Sequence, residues 1–262
     1  VQALEQLRAD VVARGLSTAV RTHLAAGIDE PEHRRVTVAF LHFDGTDERI
    51  AASGVTAVAQ DLDALVRRVQ ESADKHGVCL LGSDVDHDGG KVILVAGAPT
   101  ATGEDEQSML LVLREVLEAQ PAVPVRIGVN AGPVFVGSVG PHYRRTYTVM
   151  GDAVNLAARV MAKARPGQLL ATDAVLDRSA VRFAVTPLEP FPVKGKTALV
   201  QAYDVGPPLL ESSALVRSAP PLVGRDAELA GLQELLERAR SGTGWLVELV
   251  GEAGIGKTRL VE

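Results

Sequence analysis

Apolar positions recur along the chain in two rhythms, and the switches between them lay out its elements. Leu4, Leu7, Val11 and Val12 fall at helical spacing, so residues 1–30 read as helical with Gly27 as the stop. The polar run 30–35 breaks the pattern, and a strand-like stretch Val36–Phe43 follows. Beyond a turn at Gly45, the spacing of Leu62, Leu65, Val66 and Val69 predicts a helix through Ala51–Ala73. Val78–Val85 and Lys91–Ala96 predict a hairpin around residues 87–90, and Met109–Ala119 an amphipathic helix ended by Pro121. Pro124–Gly140 reads as a buried strand, a tight turn and a second strand, with glycines where backbone must come close. A turn at Ala164–Ala171 enters a further strand; a short helix near Thr172–Arg178 and strands within Phe183–Val205 complete the pattern. This order predicts an α+β fold, an antiparallel-rich sheet covered by helices.

The segment Arg145–Arg159 adds chemistry to the pattern. It reads as an extended run, a Gly-Asp turn and a helix that Asp152 is placed to N-cap. Asn155 and Arg159, four apart, share one helical face with Lys163 next on the stripe, while Val154, Ala157, Ala158 and Met161 form the apolar face. A neutral amide beside a fixed guanidinium suits a ribose or a phosphate on which charge develops. A solvated polar face on an ordinary amphipathic helix is the plain alternative.

With the preceding segment Pro124–Gly140, these residues resemble the class III nucleotide cyclases. The family's pattern runs R-x-G-x-x-x-G-x-V-x-x-G-x-x-G, then Y-T-V-x-G-D-x-V-N-x-A-A-R. Downstream, Pro192–Thr197 and Val200–Val205 resemble its V-K-G-K turn and final strand, so the resemblance covers residues 34–205. It implies a ferredoxin-like core and conversion of ATP to cyclic AMP and pyrophosphate by in-line attack of the ribose 3′ oxygen. It also implies that Asn155 orients the ribose and Arg159 neutralises charge on the phosphorus, with Thr148 reading the base and Lys194 contacting the terminal phosphates. Such sites are composite, so the resemblance implies a homodimer, or a heterodimer with another cyclase domain.

The family's metal site is altered in this chain. Two carboxylates normally hold Mg²⁺ or Mn²⁺, ions that require oxygen ligands. Residues 40–47 carry His42 at the first carboxylate position, and imidazole suits zinc-like ions better. Asp44 lies one strand repeat further, roughly 6–7 Å along the same face, and Asp47 adds negative charge where a small hydroxyl is expected. The second carboxylate falls on Asp86 when counted from His76-Gly77 and on Gly90 when counted back from Gly97-Ala-Pro99, four residues apart. On the forward count Gly82 stands where the purine-reading lysine belongs, and on either count that lysine is missing. Asp84–Gly89 imitates an EF-hand start, but Val95 occupies the position of its bidentate glutamate, which argues for a surface hairpin instead.

The last stretch carries a second motif. Trp245–Val250 reads as a short buried strand leading into Gly251-Glu-Ala-Gly254-Ile-Gly256-Lys257-Thr258, a P-loop whose backbone N–H groups cradle phosphates. Lys257 would reach the outer phosphates of ATP and Thr258 would ligate Mg²⁺. Leu222–Leu229 resembles the opening of STAND and AAA-type signalling ATPases, so a P-loop α/β domain begins here and the chain reads as a piece of a longer polypeptide. The expected organisation is a helical lead-in over residues 1–33, a cyclase-homology domain over 34–205, a Pro/Ser-containing linker over 206–220 and the P-loop domain over 221–262.

Composition narrows the rest. Hydrophobic residues make 46% and charged residues 23% of the chain, ordinary soluble values. A net charge of −6 gives no general attraction to nucleic acid or anionic membrane. No apolar run is long enough to cross a bilayer and no signal peptide is visible, so a cytoplasmic setting is expected. Cys79, the single cysteine, reads as a core thiol. Two functions fit: an adenylate cyclase with a weak or silent site, or a non-catalytic dimerising module that senses nucleotide and regulates the adjoining ATPase domain.

Overall fold

A computed structural model describes residues 16–27, 31–141, 143, 145–194, 198–209, 224–242, 244 and 246–249. The chain divides into two compact units, residues 1–210 and 211–262.

The first unit is built on β1 (Glu32–Asp44). Every position from Val36 to Leu41 in this strand is buried, because both faces of the sheet are covered. Antiparallel partners flank it: β3 (Gly89–Ala96) on one side and the long β4 (Val125–Val139) on the other. The eight-stranded sheet runs β2 (Cys79–Asp86), β3, β1, β4, β6 (Leu169–Thr172), β8 (Ala202–Pro208), β7 (Phe183–Pro187), with β5 (Thr146–Met150) paired to β4. Among the described strands, only β4 and β6 pair in parallel.

Side-chain alternation along β1 sorts the two faces. Ala39 and Leu41 pack with Leu65 and Val69 of α3 (Val55–Lys75) and with Met109, Leu110 and Leu113 of α4 (Asp105–Glu118). Val36, Val38 and Phe40 pack with Ala153, Ala157 and Met161 of α5 (Asp152–Met161). Gly128 lets α5 lie directly on β4: a Cβ there would stand 2.0 Å from the Met161 backbone nitrogen. A short α6 (Asp173–Leu176) follows β6, and α1 (Thr18–Ala25) precedes the sheet, where the His23 and Tyr147 rings meet at 4.7 Å.

Four local expectations are corrected. The helix predicted through Ala51–Ala73 is two helices, α2 (Thr46–Ser53) and α3, divided at Gly54, whose φ of 84° ends one helix before the next begins. Pro124–Gly140 holds one continuous strand rather than two. Pro133 sits between the stretch of β4 paired to β6, which ends at Val129, and the stretch paired to β5, which starts at Phe135. That gap is where a residue without an N–H removes no ladder bond on that side. The N-cap of α5 is Gly151, with Asp152 as the first helical residue and no side-chain cap bond; the acid still favours the helix through the dipole. Lys163 lies beyond the end of α5, with its ammonium 5.5 Å from the Phe191 ring centre.

The second unit contributes α7 (Asp226–Arg240). The expected strand over Trp245–Val250 falls only partly on described residues, and Leu246, Val247, Glu248 and Leu249 form no strand.

Candidate active site

The residues singled out by sequence fall into two groups. In the first, α5 presents Asn155 as an exposed side chain and Arg159 as a half-buried one. The Arg159 guanidinium donates to the Lys194 carbonyl, which ties the helix to the segment enclosed by the Phe191–Val200 bridge. Lys194 itself is exposed. Thr148 lies on β5 opposite Gly137 of β4. The helix is fixed from below by a pair that sequence reading missed. Asn130, 2% exposed, donates through Nδ2 to the Ala153 carbonyl at 3.0 Å and accepts from the Thr172 hydroxyl at 2.7 Å. A buried polar pair requires such closure, since an unmatched amide in the core is costly.

The second group lies at the open end of β1. His42 and Asp44 continue the alternation of Val36, Val38 and Phe40, so they share the α5 face of the sheet. Register places Lys91 of β3 on one side of His42 and Arg126 of β4 on the other. Asp84 of β2 completes the row, and its carboxylate meets the Lys91 ammonium at 2.8 Å. The Lys91 hydrogen bond holds the Asp84 carboxyl below its ordinary range. Arg126 reaches the Asp44 carboxylate at 3.3 Å and donates through Nε to His42 Nδ1, also at 3.3 Å. Asp44 therefore comes to 3.8 Å from His42 Nδ1, closer than backbone spacing alone predicts. The Asp47 backbone N–H binds the Asp88 carboxylate at 2.9 Å.

Both alignments of the second carboxylate can be judged from the hairpin. The backbone of Asp86 pairs with Gly89, which in turn pairs with Asp44, so Asp86 stands two strands away from Asp44; its side chain lies outside the described residues. Gly90 has no room for a side chain: a Cβ would stand 2.7 Å from the Asp84 carbonyl oxygen and 2.8 Å from the Phe43 ring. A one-residue irregularity between Leu80 and Gly82 shifts the register of β2.

This donor set does not fit Mg²⁺ or Mn²⁺. Arginine only donates, so the Arg126–His42 bond requires a lone pair on Nδ1 and leaves the proton of the neutral ring on Nε2. That tautomer offers a metal no lone pair while the bond stands. Asp44 and Asp84 are each paired with a cation, and no group of three His, Cys, Asp or Glu side chains gathers among the described residues. Only the alternation of β1 hinted at this arrangement; Lys91 and Asp84 became visible through strand register.

A cavity of about 500 Å³ opens at the opposite end of β1, between α1 and the sheet. It is lined by His23, Glu32, Arg34, Ser138 and Tyr147. Arg34 is engaged there by Glu32 at 3.0 Å and by the carbonyls of Gly97 and Pro99. The P-loop residues Gly251, Gly254, Gly256, Lys257 and Thr258 lie outside the described residues.

An α+β sheet of this order, with an amphipathic helix over one face, matches what is expected of a nucleotide-cyclase type of domain. The family model for the adenylate and guanylate cyclase catalytic domain matches residues 28–204, and the chain belongs to that family. An AAA ATPase domain model matches residues 221–262. An adenylate cyclase of Mycobacterium tuberculosis is 26% identical over 221 residues, 79% of this chain and 49% of that protein. The chain thus spans about half the length of these relatives. In fold it is similar to the guanylate cyclase domain of a Catenaria anguillulae protein in complex with GTP (22% identity, TM-score 0.59, covering 68% of this chain and 99% of that one). It is also similar to an adenylyl cyclase from P. aeruginosa (24%, TM-score 0.56, 71% and 98%). No described helix is long and apolar enough to cross a membrane.

Proposed function

We propose that residues 34–205 form an adenylate cyclase-type module whose conversion of ATP to cyclic AMP is weak or absent. One observation carries this reading: His42, at the first carboxylate position, has its Nδ1 engaged by Arg126 and stands between two cations. The triphosphate of ATP bears about four negative charges, and without neutralising ions its transition state is poorly stabilised. The remaining roles follow the resemblance: Asn155 orients the ribose, Arg159 faces the α-phosphate, Thr148 contacts the base and Lys194 the outer phosphates. The test is cyclic AMP formation by the purified chain with ATP and either Mg²⁺ or Mn²⁺. The expected outcome is trace turnover at most, lost in Arg159→Ala. Robust Mg²⁺-dependent turnover, unaffected by Asp86→Ala, would overturn the reading.

A second reading draws on the P-loop sequence at 251–258 and the AAA match at 221–262 in the same chain. On it the module dimerises, as a homodimer or with another cyclase domain, and regulates a cytoplasmic P-loop ATPase that follows a linker at 206–220. A guanylyl cyclase domain of similar fold, from the aquatic fungus Blastocladiella emersonii, has been solved both as a non-canonical dimer and as a monomer. Sedimentation is therefore the test. Dimers are expected at tens of micromolar, and monomers throughout that range would remove this reading.

A further inference from the structure

The donor row at the end of β1 has a character of its own. Lys91, His42 and Arg126 stand side by side on three adjacent strands, spanning two strand spacings, about 10 Å. Each can present an N–H. Lysine and arginine are cationic donors, and the bond from Arg126 leaves the proton of His42 on Nε2, so the imidazole is also a donor. A row of three donors is the reverse of a divalent-ion site, which needs oxygen acceptors. It is the donor set that binds phosphate oxygens.

The carboxylates in the row do not cancel this character. Asp84 is 63% and Asp44 50% exposed, against 37% for Lys91 and 30% for Arg126. Ion pairs between such exposed groups are screened by solvent and hold weakly. A phosphate chain offers several anionic oxygens at once and competes for the same cations through charge-assisted hydrogen bonds. The pairs with Asp84 and Asp44 hold the two cations until a stronger anion takes them. Repulsion from Asp44, Asp47, Asp84 and Asp88 sets an upper limit on affinity, and salt weakens both contributions.

We propose that Lys91 takes the place of a divalent ion in this row, so that with His42 and Arg126 it binds a linear polyphosphate without metal. The chain of a nucleoside triphosphate and an inorganic polyphosphate share that chemistry. The proposal rests on the reading of a silent metal site given above. Its test reads binding rather than turnover, so the two can fail separately.

The experiment uses the whole chain carrying Lys257→Ala and Thr258→Ala, which silence the P-loop sequence. ATP and inorganic triphosphate are titrated calorimetrically, each in EDTA and in excess Mg²⁺. Both are expected to bind in EDTA, with no gain from Mg²⁺. Lys91→Ala should weaken both in EDTA by about tenfold, the loss of one charge-assisted contact, and Lys91→Arg should restore most of it. His42→Asp should reverse the preference and make binding depend on Mg²⁺. Matched thermal melting of the variants separates these effects from misfolding, and Lys91→Gln serves if the alanine variant melts early. Three results overturn the proposal: binding only with Mg²⁺, Lys91→Ala at unchanged affinity, or binding of ATP with none of triphosphate. If cyclic AMP forms robustly while Lys91→Ala still weakens metal-free binding, the silent-site reading falls and the anion row stands.

Discussion

Asn130 is one buried residue through which α5 is tied to the sheet. Its amide is 2% exposed and uses both ends, one on the Ala153 carbonyl in the first turn of α5 and one on the Thr172 hydroxyl of β6. Asn130→Ala strands the Thr172 hydroxyl and removes the tie to the helix, at a cost of about 1–3 kcal/mol. Urea denaturation should show that loss with an unchanged slope; a midpoint equal to wild type would mean that the pair is dispensable. Asn130→Asp should be worse, since a carboxylate cannot donate to Ala153. At this scale the sequence was informative about chemistry borne by one local segment. Asn155 and Arg159 stand out as candidates by helical spacing, and His42 by its place in a motif. Asn130, Lys91, Asp84 and Arg126 did not, because their meaning depends on which strand lies beside which. Lys91 and His42 are 49 positions apart and meet only through the register of β3 on β1.

Elements were legible wherever one period persisted, as in α3, α4 and the β2–β3 hairpin. The errors arose where a single residue changes the backbone path, at Gly54, Pro133 and Gly151, since apolar periodicity carries no information about φ. How elements are tied together was also hidden. Glu115 of α4 accepts from Ser72 at 2.7 Å and from Lys75 at 2.6 Å, both on α3, and meets His76 Nε2 just beyond that helix at 2.9 Å. Partial burial pushes its carboxyl up, but the hydrogen bonds from Lys75, His76 and Ser72 outweigh it and bring the value down to about 2, from an ordinary 4.5. The sign follows from linkage: a carboxyl depressed in the folded state stabilises it above its unfolded value, and that contribution fades as pH falls through the folded one. Wild type should therefore melt above Glu115→Gln near neutral pH, with the gap closing between pH 4.5 and about 2. A gap that stays constant across that window would show that Glu115 acts by packing and not by charge.

At the scale of the whole molecule, the two units differ in what holds their backbone. The first buries strands on both faces: Ile127 and Val129 of β4 are fully inaccessible, and so is Leu170 of β6. In the second, no described residue is buried. Along α7 the apolar stripe Leu229, Leu232 and Leu235 is only half-covered, and Leu236 is 52% exposed. Its ion pairs, Arg225–Glu228, Arg238–Glu234 and Arg240–Glu237, lie at the surface, where solvent screening leaves each of them weak. A helix of 15 residues is marginal in water without a packed face, because nucleation is costly and packing supplies most of the stability. Amide exchange reads this difference directly, since exposed helices open locally while core strands exchange only by larger unfolding. Amides of α7 should exchange at least about a hundredfold faster than those of β4 between Ile127 and Ala131, as expected for a local opening easier by about 3 kcal/mol. Protection in α7 equal to that of β4 would mean that the second unit is as tightly packed as the first, and the account of its stability would fall with that result.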